Sequence, residues 1–406
     1  MELKEIEKKI YQKYWNDSPY KTFLSAPEIA LLREKEGWKS YFLGLYDEDK
    51  LVGATLLVAH PRHLKKVEFY APRGFLVDYH NNKYLDSFVN LSKEFVKQHK
   101  GYVLRIDPYL IYHERDIDGN IVEGGVDNSS VVEHLKELGF KKVVKPEQVT
   151  WMFSLDLEGK TADDIMKEMK PNVRNIIRKA LKFGIDTKEL TYEELDKFQN
   201  IMIETGARKG FGVRKITYFQ EMYKLFHDKE EVKYFISTLD LNKYIEQLEL
   251  DIKERQDKIA SLSEAKYNDG AKTNLNKEIN SLEKRVEEAK DIIKSKNSAI
   301  ITLSGSMFML IKPEIIYLSS GNYEEFMKFN AQYLIQWQLI QYGIDNGFKK
   351  HNFYGIPEDI NTHPKDYGIY EFKRGFNGYV EELIGEYELP ISKEYYLINL
   401  AHKMRG

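Results

Sequence analysis

One order of elements occurs twice along the 406 residues of this chain: strands, a helix, then a strand. In the first copy Ser40–Tyr46 and Leu51–His60 read as strands paired around Asp47-Glu48-Asp49-Lys50. Val67–Tyr70 and Gly74–Val77 read as shorter strands. Asn82–His99 sets Leu85, Phe88, Leu91 and Phe95 at helical spacing, which makes one face apolar. Gly101 leads into a strand at Tyr102–Ile106 that Asp107-Pro108 ends, and Ser129–Leu138 is a short helix stopped by Gly139. The second copy has strands at Val232–Leu239, at Ser298–Leu303 and Ser306–Ile311 around Gly305, and at Ile315–Leu318. A long amphipathic helix at Glu324–Asn346, Gly347 and a strand at His351–Tyr354 follow. The copies share order rather than residues, so the duplication is architectural. Strands and helices mixed in this way predict two tandem α/β (α+β) domains, each on a mostly antiparallel sheet.

One block has no counterpart in the first copy. From Leu241 to Asn297 the chain is charged, with Leu241, Ile245, Leu248, Ile252, Ile259 and Leu262 at heptad a and d steps and Arg255 in one slot. After Tyr267-Asn268-Asp269-Gly270 the pattern resumes with Leu275, Ile279, Leu282, Val286, Ala289 and Ile293. Two heptad arms around a turn predict an antiparallel helical hairpin, a coiled coil, at 241–297. It would be inserted where the first copy has only the turn at Asp47. Each arm, of about 25 residues, would reach about 40 Å. The block suits a solvated stalk or a surface for RNA or a partner, and both readings stay open.

Composition removes several function classes. There is no cysteine, hence no disulfide, thiolate metal site or thiol nucleophile, which fits a cytosolic chain. The net charge of −3 gives no global basic field, so phosphate or nucleic acid must be met by a local patch. The N-terminus, Met1-Glu2-Leu3-Lys4-Glu5, lacks an apolar signal core, and no run approaches the ~20 apolar residues of a membrane span. The ten histidines show no metal-ligand spacing, and there is neither a P-loop nor a G-x-S-x-G elbow, so no metal is expected. The 28 tyrosines stand out. Each offers apolar area plus a hydroxyl that can meet phosphate, sugar or backbone.

The segment from His351 to Pro390 concentrates the chemistry. A short aromatic strand meets a Gly-Ile-Pro break and a polar loop. A second strand then leads to a tight basic turn, Phe372-Lys373-Arg374-Gly375-Phe376-Asn377-Gly378, and a third strand runs into Gly385-Glu386-Tyr387. Two cations at the mouth of a glycine turn suit an anionic substrate or a developing oxyanion. They suit a solvated hairpin tip about equally well. A second basic segment, Lys170–Lys182, sets Arg174, Arg178 and Lys182 on one helical face. That face could track a phosphate backbone or simply face water.

Together these residues resemble the FemABX family of peptidoglycan peptidyltransferases. Tyr354-Gly355-Ile356, then Tyr370-Glu371-Phe372-Lys373-Arg374-Gly375-Phe376 and Ile384-Gly385-Glu386-Tyr387, match the family's C-terminal pattern in order and spacing. The branch that includes FemA also carries a helical hairpin in its second domain. The resemblance covers nearly the whole chain and implies two GNAT-like domains. The first, on the acceptor side, would be 1–148 completed by the returning tail 385–406. The second would be 149–384, with 241–297 inserted. The resemblance implies transfer of glycine, alanine or serine from aminoacyl-tRNA to an amine on the stem peptide of a peptidoglycan precursor, building cell-wall bridges. The precursor would be lipid II or UDP-MurNAc-pentapeptide. Aminoacyl-tRNA would be a co-substrate, with no cofactor. A lipid-linked acceptor would bring a cytoplasmic protein to the inner membrane face as a peripheral protein. Oligomeric state stays open.

The same resemblance assigns roles. Arg214 and Tyr218 match residues that contact the acceptor's phosphates, and their four-residue step fits one helix face at a helix start. Tyr102 and Asp107 match acceptor-side residues at a strand's end. Arg33 stands where the family often has a phosphate-contacting lysine, keeping the charge with a different geometry. Tyr323 is placed on the substrate side. Lys373 matches a lysine beside the reacting ester, and Arg374 would assist it or meet the tRNA end. Aminolysis of an ester requires alignment, a proton acceptor and oxyanion stabilisation. Lys373 suits the last role. Asp107 is the protein's candidate base, provided burial raises its pKa from about 3.9, and the ester's neighbouring hydroxyl or a phosphate could serve instead. Two rival readings remain. One is a coenzyme A-dependent GNAT acyltransferase, since Ala207-Arg208-Lys209-Gly210-Phe211-Gly212 approaches a pyrophosphate loop. The other is a non-enzymatic module that docks a partner through the coiled coil.

Overall fold

The structure, a computed structural model, describes residues 1–62, 65–262, 269–358 and 367–403. It divides into two compact units. The first comprises Met1–Asp156, Ile311–Ile316 and Lys350–Gly406, and the second Leu157–Leu310 and Tyr317–Lys349.

The first unit begins with β1 (Glu2–Glu5), α1 (Lys8–Asp17), α2 (Pro27–Lys35), β2 (Lys39–Asp47), β3 (Lys50–Pro61), β4 (Val67–Ala71) and β5 (Leu76–Val77). It continues with α3 (Asn82–Gln98), β6 (Gly101–Ile106), β7 (Ile111–Glu114), α4 (Ser129–Glu137), β8 (Lys141–Lys142) and β9 (Trp151–Asp156). The Asp47 turn closes β2 on β3, with Asp47 opposite Lys50. Helix α3 starts where the Asn81 side chain accepts from the Tyr84 amide. It buries Leu85, Phe88, Val89 and Val96, so the expected apolar stripe is its packed face.

In the second unit come α5 (Ala162–Glu168), α6 (Pro171–Lys182), β10 (Ile185–Glu189), α7 (Leu195–Lys209), α8 (Ile216–Phe226) and β11 (Val232–Asp240). The pair α9 (Leu241–Ser261) and α10 (Asp269–Lys296) follows, then β12 (Ile300–Ile311), β13 (Glu314–Asn322) and α11 (Ala331–Asp345). Helices α9 and α10 form the expected antiparallel pair. The Arg285 Nε donates to the Tyr244 hydroxyl at 2.9 Å, and the Arg255 Nε to Glu278 at 2.7 Å, so rising numbers on one helix meet falling numbers on the other. The buried seam is Leu241, Tyr244, Leu248 and Asp251 against Ile279, Leu282, Val286 and Ala289. Asp251 is held by Lys182 of α6 at 2.8 Å, which uses one cation of the expected basic face. Asp269 and Gly270 open α10 instead of forming a turn, while Tyr267 and Asn268 lie outside the described residues.

Two further expectations are corrected here. Residues 300–311 form one continuous strand, because Gly305 packs against Ile201 and Phe198 and does not turn the chain. The long helix at Glu324–Asn346 is broken. A 3-10 helix at Glu324–Phe329 ends at Asn330, whose φ of 52° is left-handed, before α11 begins. Asparagine is among the few residues that adopt this conformation readily.

The chain returns to the first unit with β14 (Lys350–Gly355), α12 (Tyr367–Arg374), β15 (Tyr379–Leu383), β16 (Tyr387–Pro390) and α13 (Glu394–Lys403). The return thus comes at Lys350, earlier than the expected residue 385, because β14 and β15 both pair with β9. The basic glycine turn is also corrected: Lys373 and Arg374 end helix α12. Tyr367 with Glu371, and Glu371 with Arg374, meet at four- and three-residue steps that only a helix brings together. The polar loop expected around 359–366 lies outside the described residues.

The main sheet of the first unit has the order β1-β2-β3-β4-β6-β16-β8, with β5 on β3. It is antiparallel except at β4 and β6, which run parallel with Ala71 opposite Ile106. Strands β14, β9, β15 and β7 form a second group in this unit, and Glu314–Ile316 pair parallel with β14. In the second unit β10, β11 and β12 are consecutive antiparallel neighbours. The junction of α12 and β15 tests this architecture. A Cβ on Gly378 would sit 2.0 Å from the backbone oxygen of Ser154, which the β9–β15 pairing fixes. Gly378→Ala should cost about 2–3 kcal/mol in denaturant unfolding. A change within about 0.5 kcal/mol would contradict the close approach.

Candidate active site

Parallel strands β4 and β6 end side by side, and the residues just past their carboxyl ends meet. Arg73 follows β4 in the turn Ala71-Pro72-Arg73-Gly74, where both Arg73 (φ 59°) and Gly74 (φ 81°) are left-handed. Position 74 also needs a glycine for space, since a Cβ would lie 2.6 Å from the Tyr79 hydroxyl and 2.7 Å from the Pro108 Cα. The turn aims the Arg73 amide at Asp107, and the N–H donates to Oδ1 at 2.7 Å. The Arg73 Nη1 lies 3.6 Å from the carboxylate Oδ2, and Nη2 donates to the Val149 carbonyl at 3.2 Å. Asp107 is 2% exposed and Arg73 3% exposed. Burial pushes the Asp107 carboxyl up to about 6, although the Arg73 cation, its amide and Tyr70 pull it down. Among the described residues Oδ2 has no regular hydrogen-bond partner.

Lys373 lies in the last turn of α12 and is 5% exposed. Its Nζ donates to the Gly355 carbonyl at 2.6 Å and to the Tyr354 carbonyl at 3.2 Å. An ammonium has three donors, and no regular acceptor takes the third among the described residues. Burial lowers Lys373 to about 7. Such a shift corresponds to roughly 4–5 kcal/mol. An unfolded lysine keeps its proton to about pH 10.4. Stability therefore rises with pH from about 7 to that value, and the full cost is present below 7.

Tyr354, whose carbonyl receives Lys373, has φ 64°, a strained conformation for an aromatic residue, and its amide is held by the Asn352 side chain at 2.7 Å. Burial raises the Tyr354 phenol, the nearby Arg73 cation holds it down, and Asp107 also lies in its field. The Arg73 guanidinium faces the Tyr109 ring at 5.8 Å. The Tyr109 hydroxyl donates to Glu314 at 2.9 Å, and Lys350 pairs with Glu314 at 3.2 Å and with Glu381 at 2.8 Å. Sequence reasoning missed Arg73, Tyr70 and Tyr354. The available signal was a charged residue inside a Pro-x-Gly turn directly after a strand.

The remaining predicted residues are placed differently. Tyr102 is the second residue of β6 and Asp107 follows its end, so about 17 Å of strand separates them. Tyr102 packs with Val103, Tyr395 and Ile398, and burial pushes its phenol up to about 12. Arg374 is taken by Asp118 and by Glu371 at 3.2 Å, leaving less charge for a nucleic acid. Arg33, on α2, pairs with Glu36 at 2.8 Å and stacks on Trp38 at 5.5 Å. In the second unit Arg214 is exposed and precedes α8, while Tyr218 lies in its first turn. They meet as a cation over a ring at 5.2 Å, not as neighbours on one helix face. Tyr323 lines a cavity of about 390 Å³ with Glu204, Lys296 and Phe326. Within the expected basic face of α6, Arg174 donates to the Lys167 carbonyl at 2.6 Å. The candidate pyrophosphate loop begins inside α7: Arg208 and Lys209 are helical and Gly210 caps the helix, so its first amides are already used.

The chain is similar to known proteins along almost its whole length. The sequence model of the FemAB family matches residues 6–403. The chain is 29% identical to the aminoacyltransferase FemB of Staphylococcus epidermidis (strain ATCC 12228), over 100% of this chain and 99% of that protein. It is 28% identical to the aminoacyltransferase FemA of Staphylococcus aureus (strain bovine RF122), over 99% and 98%. The crystal structure of FemX superimposes with a TM-score of 0.74 at 23% identity, covering 98% of this chain and 99% of that one, so the fold is shared. The match along almost the full length establishes that the chain belongs to the FemAB family.

Proposed function

We propose that this chain is an aminoacyltransferase that moves an amino acid from aminoacyl-tRNA to an amine on the stem peptide of a peptidoglycan precursor, building interpeptide bridges. Family membership supports the reaction class. The observations that carry the site are a buried lysine with two donors fixed on backbone carbonyls and a buried aspartate held by the Arg73 amide.

In this reading the acceptor nitrogen attacks the ester carbonyl carbon. The new C–N bond forms and the carbonyl oxygen becomes an oxyanion. The third N–H of Lys373 meets that oxygen, and the two carbonyl contacts keep the ammonium from rotating away. The attacking nitrogen gives its proton to Asp107, whose pKa of about 6 makes it a better base than an exposed aspartate and leaves it ionised near neutrality. The oxyanion then collapses to the amide carbonyl, the C–O bond to the ribose breaks, and the leaving ribose oxygen takes the proton that Asp107 received. Arg214, stacked on Tyr218, supplies the exposed cation for the acceptor's phosphates. A lipid-linked acceptor would place the protein at the inner membrane face. The outward side chains Tyr396, Leu397 and Leu400 of α13, beside Lys141, support that location.

The coenzyme A reading loses its support because its loop is helical at Arg208 and Lys209. Transfer is tested with tRNA charged with glycine, alanine or serine and with nucleotide-linked or lipid-linked stem peptides. No product from any pairing would refute the reaction.

Two substitutions separate the roles. Lys373→Ala should lower kcat by about 10²–10³ with acceptor KM within about threefold, the pattern of a lost oxyanion donor. A change confined to KM would contradict that role. Arg214→Ala should raise acceptor KM by about 10–100-fold, equivalent to about 1.5–3 kcal/mol, and an unmoved KM would remove Arg214 from the acceptor site. The pH profile of kcat/KM should carry an acid limb near 6, because Asp107 must be ionised to act as a base, and a basic limb near 7, because Lys373 must keep its proton. Asp107→Asn should abolish the acid limb along with most turnover. An acid limb that survives the substitution would assign it to another group.

A further inference from the structure

We infer that Arg73 is a positioning residue: it fixes the Asp107 carboxylate for proton transfer, gripping it with both its amide and its guanidinium. The inference rests on the reading of Asp107 and Lys373 as the reacting site.

Three independent features of Arg73 converge on this role. Its backbone is left-handed at φ 59°, which costs energy for a long side chain and is held by the amide's bond to Asp107. Its guanidinium is 3% exposed, where an arginine is retained only with partners. Those partners are spread over several chain segments: the Asp107 Oδ2 at 3.6 Å, the Val149 carbonyl at 3.2 Å and the Tyr109 ring at 5.8 Å. A side chain needed only to neutralise Asp107 would not also be anchored on Val149. Arginine is the residue for such a task, since its planar fork holds several acceptors at fixed angles and a lysine point charge cannot.

The groups that face Asp107 are Arg73, Tyr70 of β4, Tyr79, Tyr354 of β14 and Glu386. Arg73 is the cation among them and holds the carboxyl down, while Glu386 raises it. Removing the guanidinium must therefore move the Asp107 titration upward, and the acid limb of the pH profile with it.

Arg73→Gln and Arg73→Lys, each confirmed as folded by thermal melting, are compared with the full-length parent. The assay uses tRNA charged with glycine, alanine or serine and a nucleotide-linked stem pentapeptide. Arg73→Gln should lower kcat by about 100-fold with acceptor KM within about threefold. It should also shift the acid limb upward by about one pH unit. Arg73→Lys should recover at least about tenfold of the loss, since charge returns without the fork. An unmoved limb, with activity falling only in step with the folded fraction, would overturn the positioning role while leaving Asp107 in place. Full turnover by Asp107→Asn would overturn the reading beneath it as well.

Discussion

The first unit depends on a buried arginine and a buried aspartate that meet beyond the ends of two parallel strands. Because β4 and β6 run parallel in register, with Ala71 opposite Ile106, the loops that follow them emerge together. Loops at the carboxyl ends of parallel strands are where α/β sheets place their ligands. Here that rule is met by one parallel pair inside an otherwise antiparallel sheet. Asp107 accepts from the Arg73 amide, and the Tyr354 carbonyl receives Lys373.

The energetics argue for function over stability. A lysine shifted to about 7 and an aspartate shifted to about 6 both oppose folding over part of the pH range. Apolar residues of similar volume would remove both costs. Strain at Arg73 and Tyr354 adds to them. Costs of this kind gather where a site must be preorganised, with groups whose pKa values lie near the working pH. A solvated basic tip would carry none of them.

Much of the fold was legible in the sequence because it rests on local periodicity. The apolar stripe of α3, the β2–β3 turn at Asp47 and the heptad arms of α9 and α10 each follow from spacing alone. What failed depended on tertiary context. Lys373 and Arg374 read as a glycine turn because Gly375 and Gly378 dominate the local signal, yet burial of Tyr370 and Lys373 on one face draws the segment into a helix. Arg73 was invisible because its partners come from residues 107 and 149, which no local pattern links. Family resemblance supplied Lys373 and Asp107. The structure adds the burial of each.

That burial makes a claim about a single proton. The direct measurement is the pKa of the Lys373 amine, followed by NMR of the labelled side chain in the full-length protein, with Lys373→Arg to assign its signal. The account predicts a midpoint near 7, brought down by burial. A midpoint near the ordinary lysine value of about 10.4 would mean an open, solvated amine and would contradict it.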